Sequence, residues 1–504
     1  MVLWRDSTTL KVGAFKVVES KRIASLQPLK LSAMASRPSP SYSLTLRVEY
    51  SNRLGMLGRI TSLIGERGGD IGAIDIVQST KGAMTRDITF SAANVDHGKQ
   101  IIEAVRDLGE VDIVQVSDRT FLLHLGGKLE ITPKVPVKTR DDISMIYTPG
   151  VARIVEKIVE NADDAFNLTI KKNTVAVITD GSEVLGMGAA GPQAALPVME
   201  AKAILFKEFA GVDAFPLPLD VETDEEFVAA VRAIAPAFGA IHIEDIAAPR
   251  CFRLEKMLTE ALDIPVFHND QHGTAIVALA GLINALKIIG KSAQSLRVVI
   301  NGAEAAGVAT AKLLIAFGVR DIILCDERGI LSADQDDETL LEMAQNTNPR
   351  KVSGGIVEAL VGADALMGFG HRTVLEPSAI EAMNVNPIVF AMANPNPEIE
   401  PSRIAEIARV IATGKSDFPN QINNMLCFPG FFRGLLDARA TKVNDEMKLA
   451  AAHAIAGVIG PEELHEDYLI PSVFNRRVAN AVARAVAKAA QDSGAARKAL
   501  RPSL

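Results

Sequence analysis

The stretch VVINGAEAAGVATAKLLIAFG, residues 298–318, decides how the second half of this chain is expected to fold. An apolar, mostly β-branched run comes first, a turn with Gly302 and Gly307 follows, and an apolar segment comes last. This order predicts a buried strand, a tight turn and a helix through Val308 to Leu314. A helix N-terminus that follows a glycine-bearing turn is a ready binding site for phosphate groups.

The turn resembles the dinucleotide fingerprint GxGxxG of Rossmann-type domains but departs from it at one position. Glu304 stands where the middle glycine would be. That glycine lets the backbone approach the pyrophosphate, and a carboxylate there adds bulk and like charge. Taken alone, such a turn is more often a plain connection between a strand and a helix. The residues assigned to a candidate dinucleotide site are Gly302, Ala303, Glu304, Ala305, Ala306 and Gly307.

The next strand-like segment bears on the choice of dinucleotide. DIILCD, at 321–326, ends at Asp326, which is placed to accept a hydrogen bond from a ribose hydroxyl. Beside Glu327, this carboxylate would repel a 2'-phosphate. The pair therefore favours NAD over NADP, although Arg328 leaves NADP open as the alternative.

Upstream, two strand-like segments are each followed by carboxylates. AIHI at 240–243 precedes Glu244 and Asp245, and IPVFH at 264–268 precedes Asp270. A helix-like segment between them makes the strands parallel, so all three carboxylates are expected at one sheet edge, provided that the chain turns after Glu244. A cation relieves the repulsion between such groups, and an all-oxygen set suits Mg²⁺ or Mn²⁺.

Blander interpretations of these residues stay open. Acidic residues that follow strands are often helix caps rather than metal ligands. His268 and His272 flank Asp270. Because imidazole is an optional ligand for a hard ion, both histidines are interpreted as supporting or structural side chains.

The first part of the chain has the pattern of a small α/β module. Its order of strand, helix, strand, strand, helix and strand predicts a ferredoxin-like fold. The predicted strands are 44–50, 71–78, 86–92 and 111–117, and the predicted helices are one that carries Leu54 to Ile64 after a cap at Ser51 and Asn52, and one at about 96–108. The turn NRLGML at 52–57 resembles that of ACT domains, which implies an amino-acid or other small effector bound where two copies pair. The alternative is a module that serves only for contacts between copies.

Composition narrows the class of protein. The 504 residues are enough for about three domains. The formal charge of -8 gives no reason to expect nucleic acid or a membrane as a partner. No apolar run is expected to reach the ~18 residues of a membrane span. Cys251, Cys325 and Cys427 have no metal or disulfide spacing, which favours a reducing, cytoplasmic location. Residues 1–41 are predicted to be a flexible tail, with a transit peptide or a natural start at Met34 as alternatives.

Eight segments of the sequence, taken together, indicate a known protein family. They are IYTPGVA (146–152), VITDGSEVLGMGAAGP (177–192), PVMEAKAILFKEFAGVDAFP (197–216), IHIEDI (241–246), FHNDQHGTA (267–275), NGAEAAG (301–307), AMANPNPEI (391–399) and DFPNQINNMLCFPGFFRG (417–434). In order and spacing they resemble bacterial malic enzymes. An ACT-like module at the N-terminus also occurs in some members of that family.

This resemblance implies an activity and a set of roles. Malic enzymes oxidise L-malate with NAD(P), decarboxylate the product on a divalent metal and protonate the enol to give pyruvate. By resemblance, Lys202 is the base that takes the hydroxyl proton and Tyr147 is the acid that protonates the enol carbon. Glu244, Asp245 and Asp270 are then the ligands of Mn²⁺ or Mg²⁺. Without the resemblance, Tyr147 would be interpreted as a packed tyrosine and Lys202 as a surface charge.

Other positions follow or depart from the family pattern. Asn394 and Asn424 match the family's amides that, with the catalytic lysine, contact the nicotinamide side and the substrate carboxylate. An arginine that clamps a substrate carboxylate in animal malic enzymes is replaced by Ser182 and Glu183, so no clamp is assigned. Asn269 stands where many relatives have an aspartate, which removes a charge that could orient the lysine.

The predicted fold class is α/β, with a ferredoxin-like ACT-like module, a malic-enzyme catalytic domain and a Rossmann-type dinucleotide-binding domain. The predicted segments are a tail at 1–41, the ACT-like module at 42–118, the catalytic domain at 119–287, the dinucleotide-binding domain at 288–450 and a C-terminal helical segment at 451–504. The leading hypothesis is an NAD-preferring malic enzyme that acts on L-malate as a homodimer or larger homo-oligomer. The alternatives are a metal-dependent oxaloacetate or 2-oxoacid decarboxylase with impaired dinucleotide binding, and a non-catalytic amino-acid sensor.

Overall fold

The structure is a computed structural model, and it describes residues 37–370, 374–393, 396–416 and 418–497. The chain divides into two compact units, the first ending at Lys128 and the second beginning at Leu129. Most of the predicted tail, and the predicted nicotinamide contact Asn394, lie outside the described residues.

The first unit is a four-stranded antiparallel sheet with two helices. Its elements are β1 (Ser43–Ser51), α1 (Met56–Glu66), β2 (Asp70–Ser79), β3 (Ala83–Ser91), α2 (Val95–Arg106), β4 (Val111–Asp118) and α3 (Arg119–His124). The strand order is β2-β3-β1-β4. Alternate residues of β1, such as Leu46 and Val48, pack against Ile60 of α1 and Ile101 of α2 in one core. The predicted βαββαβ module is confirmed.

One local prediction in this unit is wrong. Helix α1 does not start after a cap at Ser51 and Asn52, since its N-cap is Gly55, in a left-handed conformation with φ 87°. Asn52 instead donates from its side chain to the backbone oxygen of Thr80 at 2.9 Å, which ties the loop to the β2–β3 turn. Leu54 is consequently fully exposed rather than part of the helix.

The second unit opens with alternating helices and strands. Its first elements are α4 (Arg140–Ile146), α5 (Gly150–Glu160), α6 (Ala165–Leu168), β5 (Thr174–Thr179), α7 (Pro192–Ala210), β6 (Asp213–Pro218), α8 (Asp224–Ile234), β7 (Ala240–Ile243), α9 (Arg250–Ala261), β8 (Val266–His268) and α10 (Asn269–Ile289). The strands form a parallel sheet in the order β6-β5-β7-β8. All four strands therefore present their carboxyl ends at one edge.

A second sheet follows in the same unit. The remaining elements are β9 (Arg297–Asn301), α11 (Ala305–Phe317), β10 (Asp321–Asp326), β11 (Gly329–Ile330), α12 (Glu338–Asn346), α13 (Ile356–Leu360), β12 (Ala365–Gly368), α14 (Pro377–Glu381), β13 (Ile388–Ala391), β14 (Val410–Thr413), α15 (Phe428–Ala438), α16 (Asp445–Ala456) and α17 (Arg477–Asp492). The order β11-β10-β9-β12-β13-β14 is the Rossmann order, parallel apart from the β10–β11 pair. Its central strands are buried on both faces: Val298 and Ile300 enter one core, and Val299 enters the other.

Helix α10 corrects the prediction about apolar runs. The 21 residues Asn269–Ile289 are long and apolar enough to cross a membrane by length and composition alone. In the fold, most of this helix is buried and packs against α11 and α16, as the core helix of a soluble domain does. It also runs through the predicted domain boundary at 287, just as α16 runs through the one at 450. The domain limits thus stay predictions.

Candidate active site

Three carboxylates meet at the carboxyl edge of the first sheet of the second unit. Glu244 and Asp245 follow β7, and Asp270 lies in the first turn of α10, directly after β8. The turn that the sequence argument required is present, because Asp245 has a left-handed backbone with φ 56°. Each of the three side chains offers an oxygen, and these oxygens lie within 4.8 Å of one another.

Neighbouring loops hold this turn in place. The backbone nitrogen of Asp245 donates to Asp270 Oδ2 at 2.7 Å, and the backbone nitrogen of Leu185 donates to Asp245 Oδ1 at 3.3 Å. Ser182 Oγ accepts from the backbone nitrogen of Ala247 at 3.0 Å. Glu183 donates from its backbone to the carbonyl oxygen of Asp245 at 3.2 Å. Ser182 and Glu183, which stand where the resemblance would place a clamping arginine, therefore shape the turn.

The carboxylates of the cluster repel one another when ionised, which favours the binding of a cation between them. Burial raises the pKa of Asp245 to about 8, and the charges of Glu244 and Asp270 add to that effect. Burial also opposes the ionisation of Glu244, but Lys202 and His242 outweigh it and hold the pKa of that carboxyl well below its ordinary value. Asp245 Oδ2 is buried and has no hydrogen-bond partner among the described residues. Three close oxygens, one of them unpartnered, fit a hard divalent ion.

Lys202 lies against this cluster and not on the surface. Its ammonium nitrogen is 2.9 Å from Glu244 Oε1 and 3.3 Å from Asn424 Oδ1. It also lies 4.8 Å from the centre of the Phe428 ring, and only 12% of its side chain is exposed. Helix α7, which carries it, brings the lysine to Glu244 and Asn424 although both are distant in sequence. The structure therefore joins three of the predicted site residues.

Sequence reasoning did not consider His242 and did not predict that Asn269, noted only as a lost charge, orients Glu244. His242 Nε2 is 2.6 Å from Glu244 Oε2, and Asn269 Nδ2 donates to the same oxygen at 3.1 Å. Burial lowers the pKa of His242, so the neutral ring donates through Nε2. The signal was available, because residues two apart on a strand share a face. Hydrogen bonds of this kind orient ligating carboxylates in metal sites.

The two flanking histidines belong to a second network centred on Glu255 of α9. This carboxylate accepts from the backbone nitrogen of His268 at 2.9 Å, from Gln271 Nε2 at 3.0 Å and from His272 Nε2 at 2.9 Å. Burial raises the pKa of Glu255, but His272 and His268 outweigh it and lower it to about 2. His268 Nε2 also lies 3.1 Å from Asp270 Oδ2. Both histidines thus contact carboxylates that they help to position, as predicted for supporting side chains.

Tyr147 is placed differently from the other predicted catalytic residues. It follows the last residue of α4, and 69% of it is exposed. Within the described parts of the chain, no hydrogen bond of its hydroxyl is found, to Lys202 or to any other residue. It is therefore not a packed tyrosine, and no hydrogen bond links it to the carboxylate cluster.

The predicted dinucleotide turn connects β9 to α11. Gly302 has φ 106°, a conformation that favours glycine, and a Cβ at Gly307 would lie 1.8 Å from the carbonyl oxygen of Gly302. Glu304, at the N-cap of α11, has an ordinary φ of −98° and an exposed side chain. A side chain is therefore tolerated by the backbone at the middle position. What Glu304 changes is the charge at the end of the helix where a pyrophosphate would bind.

Asp326 lies at the end of β10, where its carboxylate is paired with the guanidinium of Arg328. Arg328 donates from its backbone nitrogen to Asp326 Oδ1 at 2.8 Å, and from Nε and Nη2 to Oδ2 at 3.1 and 2.9 Å. The guanidinium also reaches Gln335 at 2.8 Å. An acid and an arginine thus lie together where the ribose of a dinucleotide would be recognised.

Three family models match most of the described chain, apart mainly from residues 228–270. Residues 126–227 match the malic enzyme N-terminal domain, and residues 271–491 match the malic enzyme NAD-binding domain. Residues 38–115 match the ACT domain. An NAD-dependent malic enzyme of Geobacillus stearothermophilus is 53% identical over 467 residues, which cover 92% of this chain and 98% of that relative.

The chain belongs to the malic enzyme family. A bifunctional malic/malolactic enzyme of Bacillus subtilis is 50% identical over 76% of this chain and 95% of the relative. Among solved structures, the malic enzyme of Pyrococcus horikoshii superposes with a TM-score of 0.72 at 46% identity, covering 74% of this chain and 89% of that one. The family that the eight sequence segments indicated is confirmed, as are the malic-enzyme fold and the ACT domain. The interpretation of the chain as a non-catalytic sensor is set aside.

Proposed function

We propose that this malic enzyme catalyses the metal-dependent oxidative decarboxylation of L-malate to pyruvate and CO₂ with reduction of NAD. The observation that carries the proposal is the placement of Lys202, 2.9 Å from one member of a buried cluster of three carboxylates. A general base next to a metal site is the arrangement that oxidation of a metal-chelated hydroxyl acid requires.

Glu244, Asp245 and Asp270 would hold Mn²⁺ or Mg²⁺. When bound, the ion supplies Lewis-acid stabilisation of the negative charge that develops on the substrate oxygens. In its neutral amine form, after it has released a proton, Lys202 accepts the proton of the malate C2 hydroxyl as hydride leaves C2 for the nicotinamide. Asn424 fixes the lysine and offers a neutral amide to the substrate carboxylate, and Asn394 is proposed on the nicotinamide side. Tyr147 protonates the enol carbon after CO₂ leaves and regains its proton through Lys202.

The products distinguish this reaction from its nearest alternatives. Oxidation alone would yield oxaloacetate, decarboxylation without net redox change would yield lactate, and the proposed reaction yields pyruvate and reduced nicotinamide in equal amounts. We expect pyruvate to match reduced nicotinamide when the purified chain turns over L-malate with Mn²⁺. Lactate, or oxaloacetate that accumulates without pyruvate, would contradict the proposal.

The coenzyme is proposed to be NAD, because the carboxylate of Asp326 at the end of β10 would repel a 2'-phosphate and holds Arg328. Asp326→Asn weakens the hold on Arg328 and removes the repelling charge. We expect the ratio of kcat/KM for NADP to that for NAD to rise by about tenfold, which corresponds to a free-energy difference of roughly 1.4 kcal/mol. Asp334→Asn, a control on the neighbouring loop, removes a charge near Arg328 without touching its hydrogen bonds. An equal change in both variants, or none in either, would refute the assignment.

Glu304 is the residue on which impaired dinucleotide binding would depend. Glu304→Gly removes a carboxylate from the end of the helix that faces the pyrophosphate, so we expect it to tighten NAD binding. Calorimetry with NAD and the two purified proteins measures this. An unchanged or weakened affinity would show that Glu304 does not oppose the coenzyme, and would remove the reason for the 2-oxoacid decarboxylase alternative.

The ACT domain is proposed to bind an amino acid or another small effector and so to regulate the enzyme. A cavity of about 480 Å³ lies beside the start of α1 and is lined by Gly55, Gly58, Arg59, Ser62, Leu63, Glu66 and Leu108. It includes Gly55 of the NRLGML turn, and its lining has one positive group, Arg59, and one negative group, Glu66, the two charges that a zwitterion pairs with; Arg59 is also paired with Glu110. We further propose a cytoplasmic enzyme with neither nucleic acid nor a membrane as partner, consistent with three buried free cysteines.

A homodimer or larger homo-oligomer is proposed because part of the site is uncovered in one chain. Helix α5 exposes Ile154, Val155 and Val159 along one side, next to the exposed Tyr147. An apolar face of this kind marks a contact surface. A second copy that covers it would place Tyr147 in a dry environment, which its role as a proton donor to carbon requires.

Subunit complementation tests this arrangement. Tyr147→Phe and Lys202→Met are each expected to be nearly inactive alone. If Tyr147 serves the partner's lysine, co-expressed chains should regain about a quarter of wild-type activity by random pairing in a dimer. Lys202→Met paired with Asp270→Asn is the control that should stay inactive, because each chain then carries a lesion in its own cluster. Absence of recovery in the first pair would mean that the tyrosine acts within its own chain.

A further inference from the structure

A buried carboxyl group that no predicted role uses lies under the dinucleotide crevice. Glu398 is only 1% exposed. Its Oε2 accepts from the backbone nitrogen of Ala393 at 3.4 Å, just beyond β13. Its Oε1 is buried with no hydrogen-bond partner in the described ranges. Such a group lowers the stability of the fold, because burial disfavours its charge and one acceptor is left unsatisfied. A buried carboxyl group of this kind therefore needs an explanation.

The position of Glu398 ties three strand ends together. A Cβ at Gly368, the last residue of β12, would lie 2.2 Å from Glu398 Oε1, so the carboxyl group packs directly on the backbone of that glycine. The side chain of Asn301 and the backbone of Gly370 lie close enough to lower the pKa of the same carboxyl. Asn301 ends β9, and Gly370 follows β12. Burial, the largest effect, raises the pKa of Glu398 to about 7.

The ends of β9 and β12 are also in direct backbone contact. The carbonyl oxygen of Asn301 accepts from the nitrogens of Phe369 and Gly370 at 2.7 and 3.0 Å. A Cβ at Gly302 would lie 2.7 Å from the nitrogen of Gly370. Here the strand order reverses direction, and ligands of open α/β sheets bind in the crevice between two such strand ends. A small shift of β12 would therefore move the turn that is to receive the pyrophosphate.

We propose that Glu398 is the positioning residue of the dinucleotide crevice, a buried carboxyl group that fixes the ends of β9 and β12 at the separation that the coenzyme needs. The inference rests on the proposed use of NAD. It assigns no proton transfer to Glu398. The residue lies outside the glycine fingerprint, and it acts through Asn301, Gly368 and Gly370 rather than on the nicotinamide.

Two substitutions disturb this contact from opposite sides. Glu398→Ala removes the carboxyl group, and Gly368→Ala keeps it but places a methyl group where it packs. Each is expected to raise the calorimetric Kd and the KM for NAD by tenfold or more, while the KM for malate and chelator-sensitive oxaloacetate decarboxylation stay within about twofold. Glu398→Gln, which keeps the shape and one acceptor, should stay close to wild type. In the double variant the new methyl group enters the vacated space, so the two losses should not add.

Asp364→Ala is the matched control. Asp364 is equally buried and precedes the same strand β12, but at its amino end, where it contacts Lys291 and Asn384. It should lower the melting temperature without a selective effect on NAD. An unchanged NAD Kd in Glu398→Ala and Gly368→Ala, or an equal rise in Asp364→Ala, would overturn this inference but not the proposed function. A wild-type chain that binds no dinucleotide would overturn the proposed function along with it.

Discussion

Lys202→Met is expected to lower kcat for malate oxidation by about 10²–10⁴-fold, the contribution of a positioned general base. The methionine fills a similar volume beside Phe428 but cannot accept the hydroxyl proton. The KM for malate should change far less than kcat, because the carboxylates that would hold the metal and chelate the substrate remain. Steady-state rates of NAD reduction at saturating Mn²⁺ measure both values.

Lys207→Met provides the control on the same helix. Lys207 is exposed and pairs with Asp213 at 2.6 Å, away from the carboxylate cluster. Loss of an exposed pair of this kind costs about 0–1 kcal/mol of stability and should not affect the rate. A tenfold loss of kcat corresponds to an increase of only about 1.4 kcal/mol in the activation barrier. A Lys202→Met enzyme that retains a tenth or more of the wild-type kcat would therefore rule out the base assignment.

Asp245→Asn is expected to lower malate oxidation by at least about 100-fold, since Lewis-acid stabilisation contributes several kcal/mol to the transition state. It should also abolish the stabilisation that Mn²⁺ gives to the folded chain, which reaches about 2.7 kcal/mol at 100 times Kd. Thermal melting in chelator and in excess Mn²⁺ measures this second effect. A variant that still gains thermal stability from Mn²⁺ as wild type does would mean that the ion binds elsewhere.

The same variant has a second, opposite expected effect in the absence of metal. The folded-state pKa of Asp245 is raised to about 8, so this group's contribution to stability is fully present below its ordinary pKa and is lost as pH rises towards 8. The neutral asparagine removes that loss. Metal-free Asp245→Asn should therefore be at least as stable as metal-free wild type at pH 8. Asp213→Asn, at the amino end of β6 on the edge of the same sheet, should keep the Mn²⁺ effect and serves as control.

Much of the carboxylate site follows from strand logic. Because the carboxyl ends of parallel strands share an edge, Glu244, Asp245 and Asp270 could be placed together from the sequence alone. The left-handed turn at Asp245 could only be stated as a condition, because an aspartate rarely adopts it without support from surrounding loops. The role of Lys202 came from family resemblance and its approach to Glu244 only from the structure, since no local pattern links a residue on α7 to the end of β7.

Other features escaped because they depend on tertiary burial. Periodicity started the first helix too early, since the hydrogen bond from Asn52 to Thr80 crosses between loops. The long apolar helix α10 was missed because its polar first turn and interspersed small residues hide its length. From the segment ANPNPEI alone, Glu398 would be predicted to be an ordinary surface glutamate. Its position beneath three strand ends follows only from the packing of the second sheet.

The most direct test of the account is the rate of NAD reduction by the purified full-length chain with L-malate, with and without a chelator, followed by addition of Mn²⁺ in excess. NADP is run in parallel. The account predicts reduction that the chelator abolishes, that Mn²⁺ restores and that is faster with NAD. Reduction that persists after the metal has been removed would contradict the central claim that Lys202 and the three carboxylates form a metal-dependent active site.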